Sequence, residues 1–250
     1  MSLSTKEIDR YQPHLLLPEI GFKGQLLLKK SRVLIVGVGG LGCPASLYLA
    51  AAGVGHLGLI DGDQVSLNNL QRQILYSTDQ VSLPKVQAAQ ERLHSLNPEV
   101  HVEIYPQELT PQNARDLFQK YDIILDGTDN FKTRYVISDA CTATEKPHVY
   151  GAVSKFDGQA SLFFPPQGPC YRCLYPQSAE NCQAPTCGGQ GVLGVLPGLV
   201  GTLQATEVLK FILKIGNSLL GRLLILDTLD LKFSSLQLQR DLNCLGCRSP

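Results

Sequence analysis

Three groups of residues have types and spacings suited to chemistry. In Gly37-Val38-Gly39-Gly40-Leu41-Gly42, glycines stand after an apolar run, Val33-Leu34-Ile35-Val36, and before an Ala/Leu-rich stretch. Glycines at this spacing let the chain turn tightly and let a phosphate approach backbone N–H groups at a helix start. Asp61 follows about twenty residues on, closing a second apolar run, Leu57-Gly58-Leu59-Ile60, where a carboxylate can hold ribose hydroxyls. The spacing predicts a bound nucleotide and leaves its identity open, since an NAD-dependent oxidoreductase reads the same to this point.

The residues after Asp61 favour a triphosphate. Asp63, Asn68, Asn69, Arg72 and Gln73 fall close together, and Lys85 follows near the start of a helix. The amides of Asn68 and Asn69 can donate to phosphate oxygens, Arg72 offers a planar charged fork, and Lys85 a point charge. A dehydrogenase has little use for so many cations and amides beside the ribose. Farther on, Asp126-Gly127-Thr128-Asp129-Asn130 closes another apolar run, at the kind of position where doubly wound sheets bind ligands. Asp129 could hold Mg2+ through an oxygen, and Asp129 or Asn130 could cap the next helix.

The third group is sulfur. Cys170-x-x-Cys173 and Cys244-x-x-Cys247, about seventy residues apart, present four thiolates that suit a closed tetrahedral Zn2+ site. With no open position for water, such an ion would clip the C-terminal tail to a mid-chain loop. A redox pair at one knuckle is the rival reading. Cys43 and Cys141 fall within predicted helices and read as small core residues. Cys187, in a glycine-rich stretch near Cys182, could attack an activated acyl group or exchange sulfur, or be an incidental loop thiol.

These groups need elements to position them. The chain has 250 residues, 44% hydrophobic and 18% charged, enough for a sizeable core and too apolar for disorder. Lys plus Arg equals Asp plus Glu at 22 each, so the charge balance gives no sign of nucleic-acid or membrane binding. The polar N-terminus lacks the apolar segment of a signal peptide, which predicts a cytoplasmic protein. Helices are expected at residues 4–11, ended by Pro13, and at 82–96, 110–120 and 199–213. Strands are expected at 33–36, 57–60, 100–105 and 123–125. Strand-like runs at 149–153, 159–164, 223–226 and 231–236 have hairpin spacing. The fold expected is α/β, a Rossmann-like doubly wound sheet, parallel in its first half and mainly antiparallel in its second. We read a single unit over 1–250: a helical segment at 1–30, a nucleotide-binding half at 31–146, and a mixed sheet with the zinc site at 147–250.

Taken in order, Gly37–Gly42, Asp61-x-Asp63, Asn69-Leu70-Gln71-Arg72-Gln73, Leu83-Pro84-Lys85, Asp126-x-Thr128-Asp129-Asn130 and both cysteine pairs resemble the MoeB/ThiF adenylyltransferases of the ubiquitin-activating enzyme family. The resemblance spans nearly the whole chain. It implies a homodimer with one ATP site per subunit, with Gly39, Gly40, Asp61, Asp63, Asn68, Asn69, Arg72, Gln73, Lys85, Asp129 and Asn130 around the nucleotide. It implies a ubiquitin-like sulfur-carrier substrate ending in Gly-Gly, MoaD-like first and ThiS-like next, whose carboxylate is adenylated with Arg72, Lys85 and Asp129 at the reaction centre. Cys187 is then a candidate for sulfur relay. No sulfurtransferase segment follows Cys247 in this sequence, so sulfur is expected from a separate cysteine desulfurase or rhodanese. One departure stands out: where the family commonly carries the second arginine of Arg-Tyr-x-Arg, reaching across the dimer, this chain has Pro13. That keeps open a catalytically weak or silent member acting as a binding protein.

Overall fold

The computed structural model describes residues 2–165, 167–176 and 191–247. The chain opens with helices α1 (Thr5–Leu15) and α2 (Gly21–Lys30). Ser4 caps α1 in a reciprocal box, accepting from the Glu7 N–H while Glu7 accepts from the Ser4 N–H. Pro13 does not end this helix; it lies inside it. Both Pro13 and Asp9, whose carbonyl loses its helical partner, are exposed, so the freed acceptor is not sealed inside the fold.

The nucleotide-binding half follows the expected alternation: β1 (Arg32–Val36), α3 (Gly42–Ala51), β2 (His56–Ile60), α4 (Lys85–Leu96), β3 (His101–Tyr105), α5 (Pro111–Phe118), β4 (Ile123–Asp126) and α6 (Phe131–Thr144). Helix α4 starts at Lys85 and not at 82. Ser82 sits at φ 75°, and Pro84 pushes the residue before it out of the helical region. Then come β5 (His148–Ser154), β6 (Asp157–Phe163), the single turn α7 (Tyr171–Leu174), the long α8 (Leu196–Leu213), β7 (Arg222–Asp227) and β8 (Lys232–Gln237). Helix α8 begins a turn earlier than its apolar run suggests, with Pro197 in its first turn where a missing N–H costs nothing.

The described strands form one eight-stranded sheet in the order β3-β2-β1-β4-β5-β6-β7-β8. Pairing is parallel from β3 through β5 and antiparallel from β5 to β8. The sheet is thus of the Rossmann type with an antiparallel extension, as its sequence pattern predicts. Chain order reverses between β1 and β4, which opens a crevice beyond their carboxyl ends. The larger core packs α3, α4 and α8 on one face, and a second cluster under α5 and α6 covers the other. Among the described residues one helix, α8, is long and apolar enough to cross a membrane, and half of it is buried within the fold.

Candidate functional site

The crevice between the ends of β1 and β4 holds a cavity of about 560 Å³. Its floor is the glycine turn. Gly37 takes φ 84°, and a Cβ at Gly42 would drive into the Gly37 carbonyl, so α3 can start this close to β1 only with glycine there. A Cβ at Gly39 would meet only the Gln73 amide, at 3.6 Å, so its bare backbone faces open space where a ligand can approach. Gly39, Gly40, Asp61, Asp63, Arg72, Gln73, Lys85, Asp129 and Asn130 all line this cavity.

Asp61 is anchored at the cavity wall. Its carboxylate accepts from the Val38 N–H at 2.8 Å and from the Asp63 N–H at 2.9 Å. Burial pushes its carboxyl above the usual range, and Lys85 and these two N–H groups pull back against it. Buried Lys85 pairs with Asp63 at 2.7 Å, while the Asp63 side chain is 74% exposed. Arg72 donates to the Asn68 carbonyl at 3.3 Å and forms no ion pair among the described residues. Asn68 and Asn69 do not line the cavity. They occupy a 3-10 turn, Leu67–Asn69, where the Asn68 amide oxygen accepts from Ser66 and from Asn69. Asn130 caps α6 through the Thr133 N–H at 2.9 Å, as a polar residue after a strand should. Cys187 and Cys182 lie outside the described residues, and Cys43 and Cys141 are buried core.

Sequence reasoning missed several lining residues. Lys132 and Arg134 come from the first turn of α6, 107–110 from the loop ahead of α5, and Pro111 and Gln112 from the first turn of α5. The first pair was legible in principle, because a helix capped by Asn130 must present its opening turn to the same crevice. Arg134 is buried, donates to the Thr128 carbonyl at 2.8 Å and lies over the Tyr150 ring at 5.4 Å. The loop carried no such signal.

At the far end of the chain the four cysteines converge as their spacing predicts. The Sγ atoms of Cys170, Cys173, Cys244 and Cys247 all lie within 4.8 Å of one another, with neighbouring pairs at 3.5 to 3.8 Å. A tetrahedral ion with sulfur bonds of ~2.3 Å sets its ligand atoms about 3.8 Å apart, so the donor set fits a metal. Between the ligands, Arg172 makes a two-pronged bond to Asp139 on α6 and covers the Tyr135 ring at 4.5 Å. The knuckle is thereby tied to the helix that faces the crevice.

Comparison with known proteins agrees with this geometry. Residues 11–246 match the ThiF family. The chain is 46% identical to the sulfur carrier protein adenylyltransferase of Thermus thermophilus, over 99% of this chain and 93% of that one. It is 45% identical to the adenylyltransferase and sulfurtransferase MOCS3 of Culex quinquefasciatus, over 98% of this chain but 56% of the longer relative. Among solved structures, E. coli MccB crystallised with ATP shares the fold at a TM-score of 0.83 and 24% identity, covering 98% of this chain and 75% of that one.

Proposed function

The chain belongs to the ThiF family, and on that premise we propose that it is a cytoplasmic ATP-dependent adenylyltransferase acting on the C-terminal Gly-Gly carboxylate of a ubiquitin-like sulfur carrier. The observation that carries this reading is a cavity at the sheet's reversal point, walled by bare glycine backbone and lined by Arg72, Lys85, Lys132 and Asp129. The naming of a full-length relative as a sulfur carrier protein adenylyltransferase supports the same substrate class.

In this reading a carboxylate oxygen of the carrier tail forms a bond to the α-phosphorus of ATP. The bond from that phosphorus to the bridging oxygen breaks, and pyrophosphate leaves with the electron pair. An acyl adenylate remains. Carboxylate and triphosphate repel each other, so the chain must supply fixed positive charge where they meet. Arg72 is available for this because it bonds only a carbonyl among the described residues. Buried Lys85 is held by Asp63, whose carboxylate is largely exposed and can give way when a phosphate takes its place. The Gly39 and Gly40 backbone receives the phosphates, and Asp61 stands where ribose hydroxyls lie. Asp129 would hold Mg2+, which supplies further positive charge beside the phosphates. Cys170, Cys173, Cys244 and Cys247 would hold Zn2+ as a structural clip. Sulfur then comes from a separate donor such as a cysteine desulfurase or rhodanese, with Cys187 a relay residue, and the enzyme acts as a homodimer. A MoaD-like carrier is the first choice and a ThiS-like one the second.

The test is exchange of labelled pyrophosphate into ATP. Exchange is expected only when a carrier ending in Gly-Gly is present, and to vanish when its last glycine is removed. No exchange across a panel of such carriers would leave a silent binding protein as the better reading.

A further inference from the structure

A buried polar chain lies beneath the cavity that the adenylation chemistry above does not use. Asp126, the last residue of β4, is fully buried, and both of its carboxylate oxygens are engaged. One accepts from the Thr128 N–H at 3.0 Å and from its hydroxyl at 2.6 Å. The other lies 3.1 Å from Nε2 of His148, on β5. Burial pushes the Asp126 carboxyl up, but His148, Arg134 and Thr128 together hold it below the usual range, so it is the acceptor and Nε2 the donor.

The His148 ring cannot swing away. It is itself buried, and Tyr150, Phe163 and Tyr171 surround it with ring centroids at 6.4, 5.6 and 6.3 Å. Its Nδ1 has no hydrogen-bond partner among the described residues. An imidazole buried with one nitrogen unsatisfied costs free energy that an apolar side chain would not. The one hydrogen bond the described residues give this ring, to Asp126, is therefore what offsets its burial among aromatic side chains. That bond grips the carboxylate from which the segment Gly127–Asn130 turns into the cavity.

We propose that His148 is a positioning residue for the nucleotide site: by fixing Asp126 it sets the Gly127-Thr128-Asp129 turn, and with it the carboxylate of Asp129. Three further bonds brace the same turn, from Gly127 N–H to the Val36 carbonyl, from Arg134 to the Thr128 carbonyl, and from Gln204 to the Asp126 carbonyl. All three hold backbone. The His148 bond is made instead to the Asp126 side chain, the carboxylate that also clamps Thr128. A carboxylate that binds a hard cation loses affinity when its support loosens, commonly by about ten- to a hundredfold.

This inference rests on the functional reading above, and the experiment separates the two. Binding of ATP in the presence of Mg2+, by calorimetry, and carrier-dependent pyrophosphate exchange are both measured against Mg2+ concentration for the wild type, His148→Phe and His148→Gln. His148→Phe keeps the ring's shape and removes the donor; His148→Gln returns a donor near the Nε2 position. We expect His148→Phe to raise the Mg2+ concentration for half-maximal exchange by about tenfold. The carrier KM should stay unchanged, and His148→Gln should recover most of the loss. If His148→Phe does not fold, as judged by circular dichroism, His148→Asn, too short to reach Asp126, takes its place. A wild type that exchanges while the variant lacking the bond, His148→Phe or its replacement His148→Asn, matches its Mg2+ dependence overturns the inference alone. A shift in carrier KM equal to the shift in Mg2+ dependence, or no recovery in His148→Gln, also overturns it. A wild type with no exchange defeats the functional reading, and this inference with it.

Discussion

At the scale of single residues, the cavity contains charges that the fold has not neutralised. Asp61 is kept at the wall against the cost of burial by two backbone N–H groups. Arg72 bonds one carbonyl. Fixed donors with unspent capacity are what a highly charged ligand needs, because they require no rearrangement when it arrives. Since Arg72 is only half-buried and makes one long bond, Arg72→Ala should leave stability within about 0.5 kcal/mol of the wild type. Its carrier-dependent exchange should fall by about a hundredfold or more. Thermal unfolding and exchange kinetics on the same preparation check both parts. A rate within threefold of the wild type would remove Arg72 from the reaction centre.

At this scale nine of the eleven residues expected around the nucleotide line the cavity. Gly39, Asp61, Arg72, Lys85 and Asp129 announce themselves by type and by place relative to apolar runs. Asn68 and Asn69 do not line the cavity, because short polar side chains in a turn find partners in their own neighbours first. His148 was hidden for a different reason: its importance lies in a partner from another strand, which no local pattern encodes.

At the scale of elements, boundaries follow from backbone rules. Ser82 at positive φ followed by Pro84 delays α4, and Pro197 starts α8 early. Pro13 is tolerated inside α1 because its face is wet. In the same helix, Arg10 donates to the Leu96 carbonyl and so ties the N-terminal segment to the body, while His14 bonds Gln25 of α2 within that segment. The cysteine cluster is the other long-range tie, joining α7 to the tail that follows β8. Clipping distant segments restricts the unfolded chain and rewards the native state with the metal's binding free energy. One zinc per chain is expected by elemental analysis of protein prepared without chelators. Its removal by a strong chelator should lower the melting temperature, and re-added zinc should restore it. A metal-free chain with an unchanged melting temperature would contradict the clip.

At the scale of the molecule, the order β3-β2-β1-β4-β5 places the glycine turn and the Asp126–Asn130 turn side by side, although Gly42 and Asp126 are 84 positions apart in the chain. The alternation of strands and helices gave the parallel half, and hairpin spacing the antiparallel half. The continuity of the two rests on β5, which pairs parallel with β4 on one side and antiparallel with β6 on the other. The central claim is that this crevice brings a protein's terminal carboxylate to the α-phosphorus of ATP. Intact-mass measurement of a Gly-Gly-ended carrier, incubated with this protein, ATP and Mg2+ and quenched within seconds, tests it most directly. The account predicts a carrier heavier by one adenylyl group, at its C-terminus. An unmodified carrier, when calorimetry on the same sample shows ATP bound to the protein, would contradict it.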